Sequence, residues 1–384
     1  MWAFSLASLF SDWGHEMVTA LLPGFLIAIG APAVALGLTE GISNLAQAWA
    51  ALWGGKMNDR RTHRQGLLIL GYILTGLKAL IALVSWWPWV VVLRTVGWSG
   101  RGARGPIRDS YIAEEVPAEH VGKAYGLREM FDTAGAILGP LGAAILVAFI
   151  SARTLIAWTA IPAAITIVVI LRVRKVSPDS MAPRSSSAST PVAWGRRFIQ
   201  YRTASLIFTM GYVAPTFFIL RVWQSHVTIG SLSSHTLALL LYAMHNVVYA
   251  ISAFPVGWLS DRIPGRSMLL LGYGIWAVVM LGFFNNVSSI GWWALLFALA
   301  GLATGLIEVA QKLATVRLLT DTTRGQGLGQ IAAVRGIGQL TAGLVMGILW
   351  TISNPQVGFA VEAGLACLGT LMMIRTSRTE SDVV

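Results

Sequence analysis

The chain has 384 residues, of which 55% are hydrophobic and only 12% are charged, and its mean hydropathy is +0.67. Charged residues are too few to cover a soluble protein of this size, so the composition predicts a membrane protein. The single cysteine excludes a disulfide framework. The net charge of +11 is dispersed through short polar connections, which argues against nucleic-acid binding. We therefore expect no metal, no cofactor and no nucleic-acid partner.

Apolar runs of about 20 residues predict an all-α membrane protein with twelve transmembrane helices. Their predicted centres lie near residues 16, 46, 75, 98, 135, 162, 212, 246, 276, 303, 340 and 365. The first run has no basic leader and no small-residue cleavage site, so we expect a retained helix rather than a signal peptide.

Lysine and arginine fall on alternate connections between these runs. The basic connections are 56–64, 172–202, 262–266, 324 and 375–378, and Arg153 is the main exception elsewhere. By the positive-inside rule, both termini are predicted to face the cytoplasm. The longest polar stretch, rich in Ser, Pro and Ala, follows the sixth run. It predicts a cytoplasmic linker at 176–197 between an N-terminal bundle, 1–175, and a C-terminal bundle, 198–384.

A basic turn with one acid occurs once in each half. The first copy reads Gly55-Lys-Met-Asn-Asp59-Arg60-Arg61-Thr-His-Arg64, and the second reads Gly257-Trp-Leu-Ser-Asp261-Arg262-Ile-Pro-Gly265-Arg266. Duplicated bundles are typical of secondary transporters, whose binding sites lie where the repeats meet.

Over essentially its whole length the chain resembles the major facilitator superfamily. The first turn is similar to the family's signature loop, Gly-x-Leu-x-Asp-Arg-x-Gly-Arg-Lys, although Thr62 and His63 depart from it. The resemblance implies two pseudo-symmetric six-helix bundles that transport a small molecule.

The acids of the two turns need basic partners. Arg108 closes the fourth predicted span as Arg317 closes the tenth, so these are the natural candidates for Asp59 and Asp261. We expect such pairs to latch the cytoplasmic side closed. In the alternative interpretation, the turn arginines are only topology signals that face anionic lipid, which leaves both aspartates unexplained.

The fifth predicted span carries Gly135-Ala-Ile-Leu-Gly139-Pro140. Glycines at helical spacing let another helix approach closely, and Pro140 removes a backbone hydrogen bond and should bend the helix. Ordinary small-residue packing is the alternative. The run is similar to the Gly-x-x-x-Gly-Pro element of the family's proton-coupled antiporters, and this resemblance favours export.

The fourth predicted span carries four arginines, hereafter the arginine stripe: Arg94, Arg101, Arg104 and Arg108. Their spacings of seven, three and four residues place them on one helix face. Ionised groups at mid-bilayer cost about 2.5–3.5 kcal/mol on insertion scales, so they normally face a protein interior or a wet cavity. Arg94 and Gly97 also resemble an arginine-and-glycine element that the family links to proton coupling.

The first predicted span offers acids to that stripe. Asp12 and Glu16 lie one turn apart on one face, and His15 lies beside them. Opposite charges on two helices predict a proton and substrate site, with Asp12 and Glu16 as the favoured proton carriers. The alternative is that the charges only neutralise one another and hold the helices together.

Further charges lie in other spans. Asp132 either forms an ion pair with Arg128, one turn earlier, or is a third proton carrier. Glu308 and Lys312 form an i, i+4 pair that is either structural or part of a cavity. Arg335 is expected to reach the cavity, whereas Lys78 is expected to snorkel to the membrane surface.

These patterns predict a monomeric secondary transporter of a bacterial inner membrane that works by alternating access and exports a small organic compound in exchange for protons. Uptake or exchange of an organic anion is the first alternative, because arginine forks suit carboxylate and phosphate. A lipid-like substrate is another, and a receptor or scaffold without transport is the alternative from a different class. No Gly-x-x-x-x-Gly-Lys-Ser/Thr loop is present, so we expect neither an ATPase nor another enzyme.

Overall fold

The computed structural model describes residues 2–59, 63–173, 194–228, 230, 232–259, 262–285, 287, 289–319 and 323–378. These residues form helices and no β-strand. The α-helices are α1 Trp2–Ala28, α2 Ala33–Asp59, α3 Arg64–Gly76, α4 Trp87–Glu115, α5 Val121–Leu146, α6 Ala152–Trp158, α7 Ala160–Leu171, α8 Arg196–Thr209, α9 Thr216–Trp223, α10 Ser234–Leu259, α11 Gly265–Phe284, α12 Ile290–Arg317, α13 Arg324–Ile352 and α14 Pro355–Arg378. A 3-10 segment, Leu77–Leu83, continues α3, and a short one, Ala118–His120, precedes α5.

Each predicted span corresponds to one helix or to two consecutive helices. The one predicted centre outside a helix is residue 212, which lies between α8 and α9. Among the described residues, seven helical stretches are long and apolar enough to cross a membrane. They are Arg64–Leu83, Val121–Leu146, Ala152–Leu171, Gly265–Phe284, Ile290–Arg317, Gln326–Ile352 and Pro355–Arg375. The prediction of an all-helical membrane protein is confirmed.

The helices form two compact units. The first takes in residues 1–31 and 42–190, and the second takes in 32–41 and 191–384. Most of the predicted linker, residues 176–193, lies outside the described residues.

In the first unit, α1 packs along α5 and also contacts α7. Glycines on α5 make the close approach possible. A methyl group on Gly139 would lie 2.7 Å from Trp13 O, and one on Gly135 would overlap the backbone of Leu9. α5 continues as a helix through Pro140. The backbone of α1 is therefore held directly against α5, in a position that fixes its polar side chains.

In the second unit, the helix that follows the linker is interrupted. α8 ends at Thr209 and α9 begins at Thr216, with Gly211 and Pro215 in the break. Trp276 of α11 donates an indole N–H to Gly211 O at 2.9 Å, which satisfies one carbonyl that the break exposes. Phe218 of α9 stacks on Phe283 of α11 with ring centroids 4.5 Å apart. Buried aromatic side chains thus pack together inside this unit.

Candidate functional site

Asp12 of α1 and Arg101 of α4 form an ion pair inside the first unit. Arg101 Nη2 donates to Asp12 Oδ2 at 2.8 Å, and Nη1 contacts Oδ1, so the guanidinium binds the carboxylate through both nitrogens. The side chain of Asp12 is 4% exposed and that of Arg101 is 22% exposed. Two parallel charge-assisted bonds make this a strong and directional contact.

The rest of the arginine stripe also donates to α1, in each case to a hydroxyl group. The bonds are Arg94 Nη2 to Thr19 Oγ1 at 3.1 Å, Arg104 Nη2 to Ser11 Oγ at 2.8 Å, and Arg108 Nη1 to Ser8 Oγ at 3.5 Å. As the residue number rises along α4, the partner number falls along α1. The two helices are therefore antiparallel, and the whole stripe faces α1.

Two cations of this region bond to neutral groups. Lys78, in the 3-10 segment after α3, is buried and donates to Ser11 O at 3.1 Å. Its predicted snorkelling is therefore wrong, because a backbone carbonyl inside the bundle takes its ammonium group. Arg104 is buried too, and its guanidinium lies 3.8 Å from the ring centroid of Tyr72. Within the part of the chain that the structure describes, Arg104 Nε and Nη1 have no hydrogen-bond partner. Neither cation is neutralised by a carboxylate of its own.

Further acids lie near Arg101. Glu16 and Asp132 both interact electrostatically with Arg101, and Asp132 also interacts with Asp12. Asp132 Oδ1 lies 3.6 Å from Arg128 Nη1, as the sequence spacing suggested. Three carboxyl groups thus interact electrostatically with one guanidinium, so a proton taken by one of them changes the field at the others.

His15 lies in the same region but makes a different kind of contact. Its ring meets Trp98 of α4 edge-on, with centroids 4.3 Å apart, and it is buried. Within the described residues, no three His, Cys, Asp or Glu side chains are placed to hold a metal ion.

We define the first-unit charge cluster as the side chains that converge between α1, α4, α5 and the 3-10 segment: Asp12, His15, Glu16, Lys78, Arg94, Arg101, Arg104, Arg108 and Asp132.

The second unit has a separate ion pair. Glu308 Oε1 of α12 accepts from Arg335 Nη2 of α13 at 2.9 Å, and its Oε2 accepts from Tyr249 of α10 at 2.7 Å. One carboxylate therefore connects three helices. Lys312, the partner suggested by sequence spacing, is exposed and interacts with Glu308 electrostatically. Arg335 also lies over the ring of Tyr212 at 5.9 Å.

The residues of the first basic turn lie at the end of α2 and the start of α3. Gly55 and Asp59 are in α2, and Asp59 is exposed. Arg64 opens α3 and donates to both carboxylate oxygens of Glu114 at 3.0 Å. Arg108, the candidate partner of Asp59, donates to Asp109 at 3.0 Å. Arg64 and Arg108 thus contact Glu114 and Asp109 of α4, which were not predicted as partners. Arg60 lies outside the described residues.

The second basic turn follows α10. Gly257 is in that helix, Arg262 is exposed after it, and Arg317 is exposed at the end of α12. Arg266 Nη2 donates to Met373 O of α14 at 2.7 Å. Asp261 lies outside the described residues, so the predicted latch stays a prediction.

Two buried acids were not identified from the sequence. Glu40 of α2 is 4% exposed, and Glu362 of α14 is 0% exposed. Both carboxylate oxygens of Glu362 lack a hydrogen-bond partner among the described residues. Its backbone lies beside Gly211, where α8 gives way to α9. For each of these residues, the sequence signal that could have identified a buried acid was an acidic residue inside an otherwise apolar predicted span.

Comparison with known proteins decides the family. The family model of the Major Facilitator Superfamily matches residues 4–244 and 224–383. The chain belongs to this superfamily. An uncharacterized MFS-type transporter of Methanocaldococcus jannaschii is 28% identical over 380 residues, which cover 97% of this chain and 94% of that protein.

Two other matches bear on this superfamily member. The multidrug resistance protein MdtG of Proteus mirabilis is 25% identical over 324 residues, covering 80% of this chain and 77% of that protein. The crystal structure of the nucleoside transporter NupG matches the fold with a TM-score of 0.80 at 9% identity, covering 98% of this chain and 99% of that one. The chain is thus a transporter rather than an enzyme, and the predicted fold class is confirmed.

Proposed function

We propose that this transporter works by alternating access and exports a small organic compound in exchange for protons. The observation that carries the proposal is the buried pair between Asp12 and Arg101. A proton on Asp12 removes the charge that holds Arg101, so proton binding and release of the contact between α1 and α4 become one event. Such a charge change at a two-state contact is a general way to switch conformation.

The surrounding acids support this coupling. When Asp12 takes a proton, Arg101 retains its interactions with Glu16 and Asp132. The guanidinium is therefore not left without a carboxylate, which lowers the cost of the rearrangement. Glu16 Cβ lies on the face of α1 that packs against Gly139 of α5, so this residue lies at a helix interface.

Two observations favour export. The chain is similar to a protein named for multidrug resistance, and α5 carries the glycine and proline element typical of antiporters. That element, Gly135, Gly139 and Pro140, lies against α1 next to the proposed proton carriers. Proton coupling and helix packing would then act on the same helix.

The test uses purified protein in vesicles with an imposed pH gradient. Compounds are first selected by thermal stabilisation of the detergent-solubilised protein, and proton movement is then followed with an internal pH-sensitive dye. We expect Asp12→Asn to abolish proton-driven accumulation while retaining exchange of labelled substrate at equal pH. Glu119→Gln, an exposed change next to α5, is the matched control. Proton movement that Asp12→Asn leaves unaltered would overturn the proposal.

A second candidate function is transport of an organic anion. The observation that favours it is Arg104, whose Nε and Nη1 are buried and without a hydrogen-bond partner, beside the buried ammonium of Lys78. A carboxylate or phosphate would supply the acceptors that these two nitrogens lack. If Arg104→Lys weakens binding of carboxylates about tenfold and leaves neutral compounds unaffected, this second function is favoured over the first.

The orientation, membrane and oligomeric state belong to the same proposal. We infer that both termini face the cytoplasm of a bacterial inner membrane, because the basic connections alternate along the sequence. A monomer is the expected state. A reporter that is active only in the cytoplasm, fused after residue 384, tests the orientation.

A further inference from the structure

Trp98 of α4 lies on the arginine stripe, between two of its members. It follows Arg94 by four residues and precedes Arg101 by three, so the three side chains share one helix face. The guanidinium carbon of Arg94 lies 5.2 Å from the centroid of the indole ring, and that of Arg101 lies 5.9 Å from it. One aromatic ring therefore contacts two guanidinium groups.

The position of this ring is set by its neighbours. His15 of α1 meets it edge-on, with ring centroids 4.3 Å apart. The indole Nε1 is buried and has no hydrogen-bond partner among the described residues, although a buried indole N–H usually finds an acceptor. Contacts with the ring, rather than a hydrogen bond from its nitrogen, thus hold Trp98 in place.

Trp98 offers Arg101 an attraction that does not depend on pH. The face of an indole ring carries partial negative charge and attracts a guanidinium group within about 6 Å of its centroid. The carboxyl groups of Asp12, Glu16 and Asp132 also interact with Arg101, but a carboxyl group loses its charge when it takes a proton. The ring keeps its attraction under the conditions in which Asp12 is protonated.

The other groups around the pair are charged or titratable. Those that face Asp12 and Arg101 from the surrounding elements are His15 and Glu16 of α1, Tyr72 of α3, Lys78 of the 3-10 segment, Arg94, Arg104 and Arg108 of α4, and Arg128 and Asp132 of α5. The cations among these groups repel the Arg101 guanidinium, which adds to the need for a partner without positive charge.

We propose that Trp98 is a positioning residue that receives the Arg101 guanidinium when Asp12 takes a proton. While the carboxylate is charged, the guanidinium binds it through both nitrogens, and 5.9 Å from the ring is close to the limit of the attraction. Once the carboxylate is neutral, the guanidinium closes on the ring. The inference rests on the proposed function, because it concerns the proton-dependent release of this pair.

The test measures the protonation of Asp12 directly. Infrared difference spectra of the full-length protein in vesicles, recorded between acidic and alkaline buffer, follow the carbonyl band of the protonated carboxyl group. The band is assigned to Asp12 by its loss in Asp12→Asn. Trp98→Leu removes the ring that receives Arg101, so protonation becomes less favourable and the midpoint should fall by about 0.5 in pH. An unaltered midpoint or a shift to higher pH overturns the proposal.

Two further variants separate the ring from other effects. Trp98→Phe keeps an aromatic face but lacks the indole N–H, and it should lower the midpoint less than Trp98→Leu does. Equal shifts in these two variants would assign the effect to the N–H and overturn the role of the ring. Trp89→Leu removes a tryptophan of the same helix that is 52% exposed, and it should leave the midpoint unaltered.

The outcomes for Asp12 and Trp98 are distinguishable. If Asp12→Asn removes no band, Asp12 is not the proton carrier and the proposed function itself fails. If the band is present and Trp98→Leu leaves its midpoint in place, only the role of Trp98 is overturned. Should Trp98→Leu not fold, Trp98→Phe decides by itself, because the weaker attraction of a phenyl ring should still lower the midpoint.

Discussion

The two units handle their buried charges in different ways. In the first unit, Asp12 binds Arg101 while Arg104 and Lys78 bond only to the neutral groups of Ser11. In the second unit, Glu308 has a cation on one oxygen and a tyrosine hydroxyl on the other. In the first unit, two buried cations are not hydrogen-bonded to a carboxylate, whereas in the second unit both oxygens of the Glu308 carboxylate are hydrogen-bonded. A change of charge should therefore have larger consequences in the first unit.

Burial sharpens this difference. The side chains of Asp12 and Arg101 are 4% and 22% exposed, whereas those of Glu308 and Arg335 are 29% and 28% exposed, so the difference lies mainly in the acids. Removing one partner of a buried pair strands an uncompensated charge, but water solvates much of what a partly exposed pair loses. The predictions below rank the two units by this reasoning.

The largest effect is expected for Asp12→Ala. It removes the carboxylate that is hydrogen-bonded to Arg101, and we expect a loss of about 3 kcal/mol in the free energy of unfolding, at the low end for buried pairs because Arg101 keeps some solvent and its interactions with Glu16 and Asp132. Chemical unfolding in detergent measures it. Asp12→Ala combined with Arg101→Ala should recover part of the loss, and a double variant as unstable as the sum of the two single variants would refute a direct pair.

How far the sequence could predict this site follows from the helical repeat. The repeat places the arginine stripe on one face of α4, and places Asp12 and Glu16 on one face of α1. It cannot state which acid meets which base, because that depends on the relative shift of two antiparallel helices. Arg101 therefore emerges as the partner of Asp12 only in the structure.

The second unit shows the same limit more strongly. Sequence spacing paired Glu308 with Lys312, since local pairs are the ones a single helix reveals, while the structure adds Arg335 from a helix 27 residues later. The fold class was predictable because apolar runs of about 20 residues indicate membrane-spanning helices. The break between α8 and α9 was not predicted, although Gly211 and Pro215 mark it.

A packing change tests the contact between α5 and α1. Gly135→Ala would place a methyl group against the backbone of Leu9 and Trp13, which cannot move without shifting α1, and overpacking typically costs about 1–3 kcal/mol. Gly265→Ala in α11 meets side-chain atoms of Leu313, the nearest at 3.1 Å, and should cost less. Gly126→Ala, which meets open space, is the control. Equal unfolding temperatures for Gly135→Ala and Gly126→Ala would contradict this packing.

Glu308→Ala tests the satisfied pair of the second unit. It removes the partner of Arg335 and of Tyr249, but both charged side chains are partly exposed, so we expect a loss of about 1 kcal/mol. Unfolding in detergent under the conditions used for Asp12→Ala gives the comparison. A loss as large as that of Asp12→Ala would show that the second unit depends on its charges as strongly as the first.

The smallest effect, with the opposite sign, is expected for Glu362→Met in α14. Neither carboxyl oxygen of Glu362 has a hydrogen-bond partner, and the side chain is fully buried. Burying polar atoms without partners costs free energy, and an apolar side chain of similar volume removes that cost. We therefore expect a gain of about 1 kcal/mol, seen as a higher unfolding temperature. The control is Glu362→Gln, which keeps the polar atoms and should give no such gain. A loss of stability in Glu362→Met would mean that this carboxyl has a partner that stabilises the fold.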